Sequence, residues 1–230
     1  MALFRNAHQK FIEANKKSGI WVNANFDEAQ ALVATAEGGY GNTSADPGNW
    51  TGGKIGSGTL VGTKYGISAP VLKVFLGREP SAADSQNLTY DQAVSIYKAN
   101  YWNPIKGDQI DDQDVANILY DASVNSGVGA AQKFAKDSLG TTTYNVVDVN
   151  NANAKKLFND IGAARVAKYT SIGGYALPSW LNRLTALGYY GSKAAVAGAK
   201  KHVALTIAIA LGVAGAVGFG IYLVVHKNKQ

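Results

Sequence analysis

General-acid catalysis needs a carboxylic acid that stays protonated near neutral pH, and Glu37 sits in a setting that favours one. Residues 26–35 read as an amphipathic helix, with Phe26, Ala29, Leu32, Val33 and Ala36 on one face. Asn25 is the expected N-cap, and Glu28 three residues on completes a capping-box pattern. Gly38 and Gly39 then break the helix and leave Glu37 at its C-terminal end. The helix dipole disfavours negative charge there, so the expected pKa of Glu37 is raised. The alternative is an ordinary surface glutamate before a glycine turn.

Composition narrows the remaining chemistry. The 230 residues contain no cysteine, which excludes disulfides, thiolate metal sites and a cysteine nucleophile. The three histidines are His8, His202 and His226, so residues 9–201 hold neither a Ser-His-Asp triad nor a histidine-based zinc site. Carboxylates remain as the chemical tools. No cofactor is implied, and Asp108, Asp111, Asp112 and Asp114 lack the glycine and terminal glutamate of a calcium loop. The net charge of +6 is uneven. Five lysines and no acid lie in residues 193–230, which leaves 17 basic against 16 acidic residues before them. A nucleic-acid partner for the globular part loses its main support.

The elements that would position Glu37 are mostly helical. Residues 41–68 are rich in Gly, Thr, Ser and Asn, and residues 51–61 read as short strands joined by glycine turns. Helices are expected over 70–76, from the Thr89-Tyr90-Asp91-Gln92 capping box to Trp102, and from Asp112 to Gly127 or Gly129. Further helices are expected over 130–139, 153–169 and 179–187, the last after Pro178. The expected fold class is mainly α with a small β hairpin region (α+β), plus one C-terminal transmembrane helix.

Residues 203–225 form an uncharged run of 23 residues between Lys200-Lys201-His202 and His226-Lys227-Asn228-Lys229. About 20 apolar residues span a bilayer, so a transmembrane helix is expected. Gly212, Ala216 and Gly220 form a small-residue ladder suited to a helix–helix contact, although glycines are also common in membrane spans. Residues 1–17 lack the apolar core of a signal peptide, so no cleavable secretory signal is expected.

Taken in order, the Glu37-Gly38-Gly39-Tyr40, Asp46-Pro47-Gly48, Thr63-Lys64-Tyr65-Gly66-Ile67-Ser68, Tyr101-Trp102 and Tyr120–Gly127 segments resemble glycoside hydrolase family 108. These are the N-acetylmuramidases of phages and bacteria. The resemblance covers roughly residues 26–188 and implies a lysozyme-like fold followed by a peptidoglycan-binding helical part. It divides the chain into an N-terminal arm (1–25), a lysozyme-like catalytic part (26–109) and a helical part (110–190). A basic linker (191–202), the span (203–225) and a basic tail (226–230) complete it.

By that resemblance Glu37 is the general acid that protonates the glycosidic oxygen after N-acetylmuramic acid. Asp46 and Thr63 lie across the cleft, where they position water and steady the oxocarbenium-like sugar. Residues 49–61 form an insertion that the shortest family members lack, expected to lengthen the hairpin beside the cleft. Tyr40, Tyr65, Tyr101 and Trp102 are candidates to stack on sugar faces or to pack the core, the core being the better reading for Trp102. Asn125 either binds an N-acetyl group or caps its helix, and Asp121 is either its partner or a solvated side chain.

The function this implies is a peptidoglycan-cutting muramidase anchored in a bilayer through residues 203–225. A lytic transglycosylase on the same fold is the enzymatic alternative, in which the sugar's own 6-hydroxyl closes a 1,6-anhydro ring. A non-catalytic peptidoglycan-binding membrane protein is the other. The span suits a lipid-containing phage virion that opens the wall during genome entry, with a bacterial inner membrane as the alternative location.

Overall fold

The computed structural model describes residues 23–33, 39–174, 176–189 and 191. The chain divides into two compact units, Met1–Leu157 and Phe158–Gln230. The expected membrane span and its small-residue ladder, most of the N-terminal arm and Glu37 itself lie outside the described residues. Among the described residues no helix is long and apolar enough to cross a membrane.

The first unit is mainly helical. It opens with α1 (Phe26–Val33), which buries Phe26, Ala29, Gln30 and Val33. Asn25 caps this helix, its Oδ1 accepting from the Glu28 N–H at 3.1 Å. The capping box is only half formed there, because the Asn25 N–H donates instead to Gln113 Oε1 at 2.6 Å. A tertiary acceptor from a distant helix has taken the place of the local one.

The expected β region is corrected in kind. Among the described residues it contains no continuous strand, only the isolated antiparallel bridges Gly41–Thr63, Trp50–Leu60 and Lys64–Ile67. Residues 51–59 do fold back as a hairpin-like loop, with Thr51 N–H donating to Thr59 O and Gly52 N–H to Ser57 O, each at 3.0 Å. Gly53, Gly56 and Gly58 all hold positive φ, so the backbone cannot stay extended long enough to build a ladder.

The helices that follow are α2 (Ala69–Leu76), α3 (Ala82–Asn87), α4 (Tyr90–Tyr97), α5 (Gln113–Ser126), α6 (Val128–Leu139) and α7 (Val146–Asn151). The Thr89–Gln92 capping box is present in full, as is a second one at Ser81–Asp84. Asp112 caps α5, its side chain accepting from Val115 N–H, and Gly127 ends it at a φ of 87°. The reading from Thr89 to Trp102 holds in outline, but α4 widens into a π turn over Lys98–Trp102. Helices α3 and α7 have six residues each, too short for a periodic signal in the sequence.

The core of this unit centres on Trp102, Phe26 and Tyr120. Their rings meet edge to face in all three pairs, with centroids 5.5–5.7 Å apart. Such contacts contribute about 0.5–1.5 kcal/mol each beyond simple burial. Trp102 and Tyr120 are fully buried. The Trp102 indole N–H donates to Asp108 Oδ1 at 2.8 Å, so its one polar atom is satisfied.

Helix α8 (Ala154–Ile172) begins in the first unit and continues into the second, which also holds α9 (Leu177–Ala186). Within the second unit Tyr169 packs on Trp180 with ring centroids 5.4 Å apart, and Phe158 meets Tyr189 edge to face. Arg165 is fully buried, and its Nε and Nη2 donate to the Tyr169 hydroxyl at 3.1 and 2.8 Å.

Candidate active site

Helix α1 is fixed against α5 at its start and midway along its described length. At its start, Gln113 exchanges two hydrogen bonds with the Asn25 backbone, accepting at 2.6 Å and donating at 3.0 Å. Ala24 N–H donates to Ile110 O at 2.7 Å. Further along, the Tyr120 hydroxyl donates to Gln30 Oε1, and both residues are buried. Val33, the last residue of α1, is four positions before Glu37.

The chain on the far side of Glu37 is fixed as well. Gly41 and Thr63 exchange backbone hydrogen bonds of 2.9 and 2.8 Å. The Tyr40 hydroxyl donates to Val61 O at 2.9 Å, and its ring lies so close to Gly62 that a β-carbon there would sit 2.5 Å from Tyr40 Cε2. Tyr40 is therefore a strut between two backbone segments.

Asp46 and Thr63 come together around a short 3-10 turn, Pro47–Asn49. Asp46 caps that turn, its Oδ1 accepting from Gly48 N–H at 2.8 Å, and the residue is exposed. The Asn49 carbonyl accepts from Val61 and Gly62 N–H at 2.8 and 3.1 Å, which draws the turn onto the segment carrying Thr63. Thr63 Oγ1 faces Gly48 O at 3.4 Å, a long contact that leaves the hydroxyl available. Thr63 thus touches the Asp46 turn through its hydroxyl and the segment around Gly41 through its backbone.

The insertion has its own brace. The Thr51 hydroxyl is hydrogen-bonded to Glu79 Oε1, and Lys73 Nζ lies 2.6 Å from Glu79 Oε2. The lysine ammonium and the threonine hydroxyl hold the Glu79 carboxyl below the ordinary range.

Tyr65 follows Thr63 by two residues, in a turn closed by Ile67 N–H donating to Lys64 O at 2.9 Å. Its ring meets Tyr90 edge to face at 5.7 Å. Tyr97 donates its hydroxyl to Tyr65 O at 3.3 Å and packs against Tyr101 at 5.7 Å. Burial pushes the hydroxyls of Tyr101 and Tyr120 up, and Tyr120 is raised further by Tyr97, Tyr101, Asp121 and Tyr90. A run of tyrosines therefore leads from the Thr63 turn towards the α1–α5 contact.

Of the two readings of Trp102, sugar contact and core, its burial fits the core, which the sequence also favoured. It is fully buried, and a β-carbon on Gly107 would fall well inside van der Waals contact of its indole, so the loop closes directly onto the ring. Asn125 lies half-buried in the last turn of α5, accepting from Ser126 Oγ at 3.4 Å. Asp121 is 3% exposed, so the solvated reading of it is overturned. Among the described residues no group of three or more acidic or histidine side chains is arranged to hold a metal ion.

Gln30 and Tyr120 were missed in the sequence as positioning residues. A polar Gln30 on the face that carries Phe26, Ala29 and Val33 was the signal available, because a buried amide requires a partner.

The glycosyl hydrolase 108 family model matches residues 30–127, a stretch that runs from Gln30 to the end of α5. No curated protein sequence matches the chain. Among solved structures, SagA of Brucella abortus is similar at 27% identity with a TM-score of 0.58, covering 71% of this chain and 94% of that one. These likenesses support a glycoside hydrolase.

Proposed function

We propose that this chain is a peptidoglycan-degrading glycosidase, an N-acetylmuramidase that cuts the bond between N-acetylmuramic acid and N-acetylglucosamine. The observation that carries the reading is the two-way Gly41–Thr63 bridge together with the Thr63–Gly48 contact. These bonds tie the Asp46 turn to Thr63 and Thr63 to Gly41, four positions after Glu37 in sequence, inside the stretch matched by the glycosyl hydrolase 108 family.

In this reading Glu37 donates a proton to the leaving glycosidic oxygen. Asp46 uses one carboxylate oxygen to hold its own turn and has the other for the attacking water, which Thr63 helps to orient. The exposed Asp46 carboxylate also lowers the energy of the positively charged sugar in the transition state. Residues 203–225 anchor the enzyme in a bilayer, on the strength of their uncharged length alone. A virion membrane is the proposed setting.

The test is mass spectrometry of purified peptidoglycan digested with the full-length chain and with Glu37→Gln. Reducing-end muramic acid products from the parent chain are expected, with a loss of about 10²–10⁴-fold in the variant. Cleavage that survives in Glu37→Gln would refute the assignment of the acid. Anhydro-muramic products would instead identify a transglycosylase and remove the water-positioning role of Asp46.

A further inference from the structure

Two aromatic side chains next to the proposed cleft are not explained by packing. Tyr65 holds a φ of 51°, in the left-handed region that favours glycine. With Gly66 at 71°, both central residues of its turn have positive φ, as a type I′ hairpin turn requires. Asparagine or glycine usually fills the first of these positions, and a tyrosine there is strained. Strain of this kind persists only where the surroundings hold it and commonly marks a working site. Here Tyr97 holds the Tyr65 carbonyl, and Lys64 Nζ donates to Gln86 O at 2.5 Å while lying 5.1 Å from the Tyr65 ring centroid.

Tyr90 is the second. It is the first residue of α4, and its ring stands at 84° to that of Tyr65, yet it is 49% exposed. Tyr97, on the same helix, is 7% exposed and accounts for the packing of that face. The turn around Tyr65 therefore holds one ring against another that remains half in water.

We propose that Tyr65 and Tyr90 form a sugar-stacking subsite that continues the cleft beyond Thr63 and grips the glycan strand of peptidoglycan. The assignment rests on the glycosidase reading and adds Tyr90 to it. Two residues of chain reach at most about 7 Å, so this pair adjoins the Thr63 position and is not a remote patch. Pyranose rings present C–H faces that suit aromatic surfaces, and their hydroxyl and acetamido groups suit the phenolic oxygens at the wet end of each tyrosine. A linear polymer that fills the cleft must leave it over neighbouring surface, and a neutral aromatic pair fits neutral sugar rings.

The experiment measures steady-state cleavage of soluble, uncross-linked glycan strands by the full-length chain, by Tyr90→Ala and by Tyr90→Trp. Tyr90→Ala is expected to raise KM about tenfold, equivalent to about 1.4 kcal/mol of binding, with kcat unchanged. Tyr90→Trp is expected to restore KM, a rescue that a purely structural role would not produce. An unchanged KM in Tyr90→Ala overturns the subsite. Tyr90→Gln, whose longer side chain covers more of the neighbouring surface without an aromatic face, replaces the alanine variant if that fails to fold. Should the parent chain bind the strands without cutting them, the glycosidase reading fails and co-sedimentation with insoluble peptidoglycan sacculi takes over. Loss of retention in Tyr90→Ala then supports the subsite, and equal retention overturns it.

Discussion

Tyr120→Phe isolates the bond that holds α1 in place. The substitution removes one hydroxyl and keeps the ring that packs edge to face on Phe26 and Trp102. What it takes away is the donor to Gln30 Oε1, at a place where Gln30 is 5% exposed and Tyr120 fully buried. A buried acceptor left without its donor costs about 1–3 kcal/mol, so unfolding stability should fall by about that much. The assay is urea denaturation followed by circular dichroism, with the midpoint moving and the slope constant. Gln30→Met in the same chain makes both partners apolar, and pairs exchanged in this way are nearly neutral. The double variant should therefore regain much of the loss, with a coupling energy of about 0.5–3 kcal/mol. Cleavage by Tyr120→Phe should fall under conditions where the protein remains folded, because α1 leads into Glu37. Losses that simply add in the double variant would refute the pairing, and full activity in a folded Tyr120→Phe would refute its link to catalysis.

Two other outcomes follow from the same core. Gly107→Ala should destabilise the chain by about 1–3 kcal/mol in urea, because the new methyl group meets the Trp102 indole; an unchanged midpoint would contradict that close approach. Stability should also decline in alkali. Burial pushes the Tyr144 hydroxyl, which donates to Ile105 O at 2.6 Å, up to about 12, and pushes Tyr120 up as well. A folded chain keeps these protons while the unfolded chain releases them from about pH 10, so stability is intact below that pH and is lost as pH rises towards about 12. Each tyrosine contributes a slope of up to about 1.4 kcal/mol per pH unit, and a urea midpoint that stays flat across this range would refute the burial argument.

The sequence carried the helices that announce themselves by caps and period. Thr89–Gln92, Asp112 and Gly127 mark the ends of α4 and α5 close to where they fall. It did not carry α3 and α7, whose six residues make fewer than two turns. The glycine-rich stretch from Thr51 was legible as a loop that doubles back, but the pattern does not reveal how few backbone pairs would form. Within the site, the motifs around Asp46 and Thr63 could be read locally, since each is a turn with its own signature. Tertiary choices could not. Tyr40 could be read as a sugar platform or a packing residue, with no sign that its hydroxyl would bond Val61 O, and Asn25 exchanged a predicted local partner for Gln113. Contacts of that kind depend on segments about 20 to 90 positions away, which no window on the sequence contains.

The attachment of α1 to α5 also sets an order of events during synthesis. Asn25 is joined to a residue 88 positions later, and Gln30 to one 90 positions later. At about 5–20 residues per second, a ribosome needs some 5–20 seconds to make that much chain. Throughout this interval α1 lacks the partners that hold it, and a short helix is marginal in water by itself. The α1 segment therefore gains its scaffold only after Tyr120 has been made, so this part of the fold assembles only once α5 exists.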